Sequence, residues 1–177
     1  KTLWNTATYV QDMGPDVHES TTDLGHGRQL KITAGTRGTL IAINDAPGGS
    51  GFLICRACGR GLIPRGKPKV EKHKKIFKDE DCLGGFEHRS LGHTFQTDVL
   101  AIDAGFGRAA DRGQLLSLLY AILEAGAVHL QLSRDDVDGT VEVTGAGQRL
   151  VLFDSVPGGA GGVTAIAESL PMVLERA

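Results

Sequence analysis

Residues 59 to 92 cannot be ordered by burial alone, and this constrains the chain more than any other feature. The stretch is polar, basic and glycine-containing, with prolines at Pro64 and Pro68, and it separates two apolar runs, Phe52-Leu-Ile-Cys55 and Thr94 to Asp103. A loop of this length inside a domain needs a staple. Cysteines stand at its two ends: Cys55-Arg-Ala-Cys58-Gly59 at the start and Cys82, 24 residues beyond Cys58, near the finish. C-x-x-C-G brings two thiolates to one metal on a tight turn, and the glycine lets backbone amides bend toward sulfur. Cys82 supplies a third ligand.

A closed tetrahedral zinc site needs four ligands, and the chain has only three cysteines. His73, His88 and His93 are the candidates for the fourth, and His73 is favoured because it lies within the loop that the metal would close. We therefore expect Zn2+ on Cys55, Cys58, Cys82 and His73. The competing reading makes the cysteines buried apolar residues or a redox pair. An odd number of cysteines is no disulfide framework and suits a reducing cytoplasm.

The 177 residues carry a net charge of only −2, yet the distribution is uneven. Nine basic residues fall between Arg56 and Lys78, against the single acid Glu71. Arg56, Arg60, Lys67, Lys69, Lys72, Lys74 and Lys75 are the candidates for contact with nucleic-acid phosphates. A solvated face is the bland alternative. Few aromatics interleave the run, so stacking on single-stranded bases is not expected. No apolar run approaches the roughly 18 residues of a membrane span, and with no initiator Met or signal segment we expect a soluble piece of a longer protein, without membrane contact.

Hydropathy patterning predicts a mixed α/β domain over residues 1–177: a mixed sheet with flanking helices and the zinc-stapled basic loop, residues 55–92, inserted in it. Residues 1 to 30 show no clear period and read as irregular structure. Strands are expected from Thr39 to Asn44, at Phe52 to Cys55, from Thr94 to Asp103, and at Val128 to Leu132, Thr140 to Thr144 and Leu150 to Phe153. Asp111 as N-cap with Gln114 three residues later opens a helix whose apolar stripe is Leu115, Leu118, Leu119 and Ile122, ended by Gly126. A second helix is expected over Val163 to Leu174, interrupted or restarted at Pro171.

One internal similarity is visible. Leu40-Ile-Ala-Ile-Asn-Asp-Ala-Pro-Gly-Gly-Ser-Gly matches Leu150-Val-Leu-Phe-Asp-Ser-Val-Pro-Gly-Gly-Ala-Gly in pattern. In the second copy Asp154, Pro157, Gly158 and Gly159 lie between a strand and a helix, where helix N-terminal amides hold phosphates in other proteins. The segment lacks a Walker ending and is not G-x-G-x-x-G, so nucleotide hydrolysis is not expected, and a tight strand-to-helix turn is the simpler reading. His73-Lys-Lys75 begins like the H-x-K-x4-D motif of phospholipase D-like enzymes, but the Asp position is Glu80 and no second copy exists. Asp135-Asp136-Val-Asp138-Gly139 lacks the later Glu of a calcium loop and reads as a turn. Ser117 reads as a packing residue.

Taken together, Cys55-Arg-Ala-Cys58-Gly59, the His73 and Cys82 pair, Leu91-Gly-His-Thr-Phe-Gln-Thr-Asp-Val-Leu, Ser117-Leu-Leu-Tyr-Ala-Ile-Leu-Glu-Ala-Gly, Asp136-Val-Asp-Gly and Leu152-Phe-Asp-Ser-Val-Pro-Gly-Gly-Ala-Gly resemble the C-terminal zinc-binding domain of MrfA-type DNA helicases, which also occurs in the DrmB subunit of the DISARM phage-defence system. The resemblance runs from about Phe52 to Ile166. It implies a noncatalytic accessory domain beside a superfamily 2 motor, acting in DNA repair or antiviral defence, with metal on the cysteines and any ATPase activity elsewhere. Phe95, Thr97, Asp98, Asp154, Pro157, Gly158 and Gly159 match the family motifs as organisers of the fold. The alternatives are a protein-interaction module that binds a partner subunit and a degenerate phospholipase D-like nuclease.

Overall fold

A computed structural model describes residues 6–23, 27–63 and 72–177. The chain forms strands β1 (Thr6–Asp12), β2 (Asp16–Asp23), β3 (Gln29–Asn44), β4 (Phe52–Cys55), β5 (Gly61–Leu62), β6 (His73–Lys74), β7 (Asp81–Cys82), β8 (Phe86–Arg89) and β9 (Leu91–Phe106). These are followed by helix α1 (Arg112–Leu130), strands β10 (Val137–Val143) and β11 (Gln148–Asp154), and helices α2 (Gly162–Glu168) and α3 (Leu170–Arg176). The mixed α/β class holds, with strands dominating. Two compact units emerge: Lys1–Thr8 with Ala42–His93, and Tyr9–Ile41 with Thr94–Ala177.

The second unit is built on a sheet in the order β1-β3-β9-β11-β10, with β2 also on β3. β9 from Val99 to Ile102 and β11 from Leu150 to Asp154 are buried on both faces, which is why these stretches read as continuous apolar runs rather than alternating ones. Leu100, Ile102, Leu150 and Leu152 pack on one side with Leu115, Leu119, Ile122 and Leu123 of α1 and with Val163, Ile166, Leu170 and Val173 of α2 and α3. Val99, Ala101, Val151 and Phe153 form a smaller core on the other side with Leu40, Val10 and Met13. Asp111 caps α1 as its sequence suggests, its side chain accepting from Gln114 N–H at 2.8 Å. Contrary to the expectation of no membrane-length apolar run, α1 is long and apolar enough to cross a membrane by length and composition alone; here its Leu115, Leu119, Ile122 and Leu123 face belongs to the core.

Three sequence expectations fail for identifiable reasons. Among the described residues of 1–30, irregular structure gives way to strands β1 and β2: β2 pairs antiparallel with β3, Asp16 opposite Thr36 through Asp23 opposite Gln29. All but one residue of β2 is exposed, so no alternation of burial marked it as a strand. α1 does not stop at Gly126. The missing Cβ there would lie 2.9 Å from Ile166 Cδ1, so this glycine serves helix packing rather than termination. The strand expected at Val128–Leu132 is consequently the last turn of α1, which ends at Gln131 in the left-handed region. A short apolar run cannot by itself separate strand from helix. At the end of the chain, α3 restarts at Leu170 with Pro171 in its first turn, where proline costs no hydrogen bond.

The first unit holds a three-stranded sheet, β5-β4-β8, and the two-stranded β6–β7 hairpin. The segment read as loop over residues 59–92 is thus partly organised into short ladders. Residues 64–71 lie outside the described residues, and Lys67 and Lys69 with them.

Candidate metal centre

Short-range devices bring four donor side chains together in the first unit. Cys55 is the last residue of β4, and the turn after it closes with Gly59 N–H donating to Cys55 O at 2.9 Å, while Cys55 N–H donates to Arg60 O at 2.9 Å. On the hairpin, β6 and β7 set His73 directly opposite Cys82. A second turn follows Cys82, with Gly84 N–H donating to its sulfur at 3.4 Å. As a result the sulfurs of Cys55, Cys58 and Cys82 and a ring nitrogen of His73 all lie within 4.8 Å of one another. Cys55 Sγ and Cys82 Sγ are 3.8 Å apart, far beyond the roughly 2.05 Å of a disulfide. Cys58 Sγ is 3.3 Å from His73 Nε2.

The group can hold a metal ion, and its chemistry fits one. Two thiolates on one tetrahedral ion with bonds of about 2.3 Å sit about 3.8 Å apart, which is the Cys55–Cys82 separation. Burial pushes the Cys55 thiol up, but amide hydrogen bonds from Cys58 and Ala57 and contacts with the Cys58 and Cys82 sulfurs outweigh it and bring its pKa to about 6. For Cys58 the Arg60 amide favours the thiolate, while burial and the neighbouring Cys55 and Cys82 sulfurs carry it upward overall. The crowded sulfurs therefore shift neighbouring thiols in opposite directions, Cys55 down and Cys58 up. The His73 ring leans on Phe86, with centroids 4.7 Å apart, and so is held from behind.

Gly84 is the residue of this centre that reading the sequence missed. A Cβ on Gly84 would sit 2.6 Å from Ala57 Cβ and 2.7 Å from Cys55 Sγ. The available signal was the glycine pair after Cys82, which echoes the glycine after Cys58. Gly84→Ala is expected to weaken metal binding by roughly ten- to a hundredfold, the range for residues that support ligands, measured by competition with a chelating dye.

The other expected site residues separate into different places. His88 is exposed on β8, opposite Leu53 of β4, and neither it nor His93 belongs to the cluster. The basic residues around the centre have partners. Lys72 pairs with Asp81 at 2.6 Å, Lys74 with Asp79 at 3.1 Å and Asp81 at 3.4 Å, and Lys75 with Glu80 at 2.6 Å. Arg56 pairs with Glu87 at 3.0 Å, and Arg60 donates to Lys74 O at 2.8 Å. The lysines raise no repulsion on the hairpin because each faces an acid, and Lys72 and Lys74 hold the Asp81 carboxyl below its ordinary range.

The helix N-terminus behind Asp154 is already filled. Asp154 is fully buried, and its carboxylate accepts from Ala160 N–H at 2.6 Å, Gly162 N–H at 3.1 Å and Val163 N–H at 2.8 Å. Pro157, Gly158 and Gly159 carry the chain around it. Gly158 N–H donates to Gln96 O at 2.7 Å, and Gly159, at φ 80°, presses its backbone against the Asp98 carboxylate where any side chain would collide. Those amides are spent on the protein's own carboxylate, so a phosphate cannot use them, and the turn reading is the one that fits. The Thr97 hydroxyl, buried, lies 2.8 Å from Asp154 O and 3.0 Å from Val156 O.

His73 faces Cys58, which removes it from the role of a phospholipase-type nucleophile. Only Arg134–Asp136 of the expected acidic turn is a 3-10 turn; Asp138 and Gly139 belong to β10, opposite Phe153 and Leu152, where the Asp138 carboxylate accepts from Gly139 N–H at 2.7 Å. Ser117 is exposed and returns its hydroxyl to Gly113 O at 2.9 Å, so it does not pack.

With 97% of its length the chain aligns to 20% of the crystal structure of the DUF1998 helicase MrfA bound to DNA, at a TM-score of 0.51 and 16% identity. The two share a fold. The Druantia protein DruE of Escherichia coli (strain UMEA 4076-1) is 27% identical over 179 residues, taking in 84% of this chain and 10% of DruE. The chain thus spans about a tenth of DruE and a fifth of the MrfA chain. No protein-family profile matches it.

Proposed function

We infer that this chain is a noncatalytic accessory domain of a helicase, that Cys55, Cys58, His73 and Cys82 hold Zn2+ as a structural staple, and that the domain contacts DNA phosphates. The observation that carries the reading is the convergence of three sulfurs and one imidazole nitrogen within 4.8 Å. Three thiolates and a histidine are a zinc donor set with no position left open for substrate, so the ion would order the polypeptide rather than activate water. The fold shared with part of a helicase crystallised on DNA supports the helicase and DNA partners, and the similarity to DruE is consistent with them. Motor and ATPase would reside in another region or subunit, the setting being DNA repair or antiviral defence of the DISARM kind, in a cytoplasm that keeps thiols reduced.

Charge supports DNA contact too. The first unit contains eleven Lys and Arg against six Asp and Glu, the second eight against fifteen, so +5 and −7 make up the net −2 of the chain. Surface ion pairs of the kind that hold Lys72, Lys74 and Lys75 contribute about 0–1 kcal/mol, so these side chains can exchange acid for phosphate.

Metal analysis of the purified chain tests the reading. One zinc per chain is expected, lost in Cys82→Ser and in His73→Ala and kept in His88→Ala. Folded wild-type protein without metal would overturn it. DNA affinity should fall steeply as salt rises, and affinity indifferent to salt would remove the phosphate contact.

A further inference from the structure

The tip of the β6–β7 hairpin exposes an aromatic ring that nothing in the fold requires. Phe77 is 94% exposed. Lys75 N–H donates to Glu80 O at 2.9 Å, which closes the hairpin into a four-residue loop, Ile76-Phe77-Lys78-Asp79, with Phe77 near its apex. Lys78 beside it makes none of the ion pairs that occupy Lys72, Lys74 and Lys75 among the described residues. At the root of the same hairpin, His73 and Cys82 stand opposite each other as two of the four candidate ligands. A ring of this size left in water forgoes the stabilisation of burial, and a loop tip could carry a polar residue at no such loss.

We propose that Phe77 is a stacking platform for an unpaired nucleobase, with Lys78 placed for the adjoining phosphate and the metal centre as the rigid root that presents both. This rests on the DNA contact proposed above and names its form as single-stranded, which reverses the expectation from the sparse aromatics of the basic run because the fold leaves the ring of Phe77 exposed. Base stacking suits the tip because every base offers a flat face, whereas a single phenyl ring has no donor or acceptor with which to read the hydrogen-bond pattern of a duplex groove. The basic balance of the first unit, +5 by its Lys, Arg, Asp and Glu, supplies the attraction that brings a polyanion to the ring. A pocket on another protein is the competing occupant of an exposed Phe, and the test separates the two.

The test uses the zinc-loaded 177-residue chain with oligothymidylate and with a blunt duplex of the same length. Phe77→Ala and Phe77→Leu are both expected to weaken single-strand binding about five- to a hundredfold, the span of one stacked base, with little effect on the duplex. Leucine would satisfy an apolar protein pocket but cannot stack. Because Trp4 is the only tryptophan in the chain, Phe77→Trp combined with Trp4→Phe gives a single reporter at the tip, whose fluorescence oligothymidylate should quench. Unchanged single-strand affinity in both variants, or an unquenched Trp reporter on bound DNA, would overturn the platform while leaving phosphate contact intact. Failure of wild-type protein to bind either DNA would overturn the platform and the DNA contact together.

Discussion

Removing the metal, by chelation or by Cys82→Ser, is expected to melt the first unit and leave the second folded. Among the described residues the first unit has almost no apolar core: those buried are Ala42, Ala46, Leu53, Cys55 and Cys82, and two of these are candidate ligands. Its ladders are four residues or shorter, too little to stand in water unaided. Structural zinc contributes on the order of 10 kcal/mol to folding in small sites, far more than that burial supplies. The second unit has seventeen buried residues in its larger cluster and does not draw on the ion. Hydrogen exchange should therefore show the Arg56, Gly59 and Lys75 amides losing protection on metal removal, while those of β9 and β11 keep theirs. Uniform protection with and without metal would sink the staple.

Asp154→Ala should be the most destabilising single change in the second unit. It would strand three amide donors, those of Ala160, Gly162 and Val163, around a buried carboxylate position. Each unsatisfied buried donor costs about 1–3 kcal/mol, so a loss of roughly 3–5 kcal/mol is expected once some amides reach water. Asp154→Asn keeps the shape but turns an NH2 toward donor amides, and should recover only part of the loss. Asp79→Ala, which removes one exposed ion pair, should stay within about 0.5 kcal/mol. Urea denaturation of the three variants checks the order, and an Asp154→Ala midpoint equal to that of Asp79→Ala would show that the carboxylate does not hold the turn.

The same residue shows how far the internal similarity reaches. Asn44 occupies the position of Asp154 in the first Pro-Gly-Gly segment, but its Oδ1 accepts from one amide, Ala46 N–H at 3.0 Å. No helix follows it before β4. A carboxylate facing a helix N-terminus gathers several amides because its charge complements the helix dipole, and a neutral amide side chain with no helix ahead does not. The two segments share a turn and differ in what the turn serves.

Much of the metal centre was legible in the residues, because thiolate and imidazole chemistry and the C-x-x-C-G turn act over a few positions. The same is true of the start of α1, where Asp111 and Gln114 cap locally. The supporting glycine at Gly84 was not, since its requirement comes from Ala57 and Cys55 on another turn. The basic run shows the limit most plainly. Read along the chain it is nine cations against one acid, but the β6–β7 pairing folds Asp79, Glu80 and Asp81 back onto Lys72, Lys74 and Lys75.

The sequence by itself determined which side chains can take a metal, the apolar runs of β4, β9 and β11 and where α1 begins, all properties of short segments. Only the tertiary structure decided that β2 is a strand, that Gly126 continues α1, that Asp154 fills its own helix terminus and that Phe77 is left in water. Each of these depends on what a distant segment brings alongside, and hydrogen-bond partners and buried neighbours are set by pairing across the fold, not by spacing along the chain.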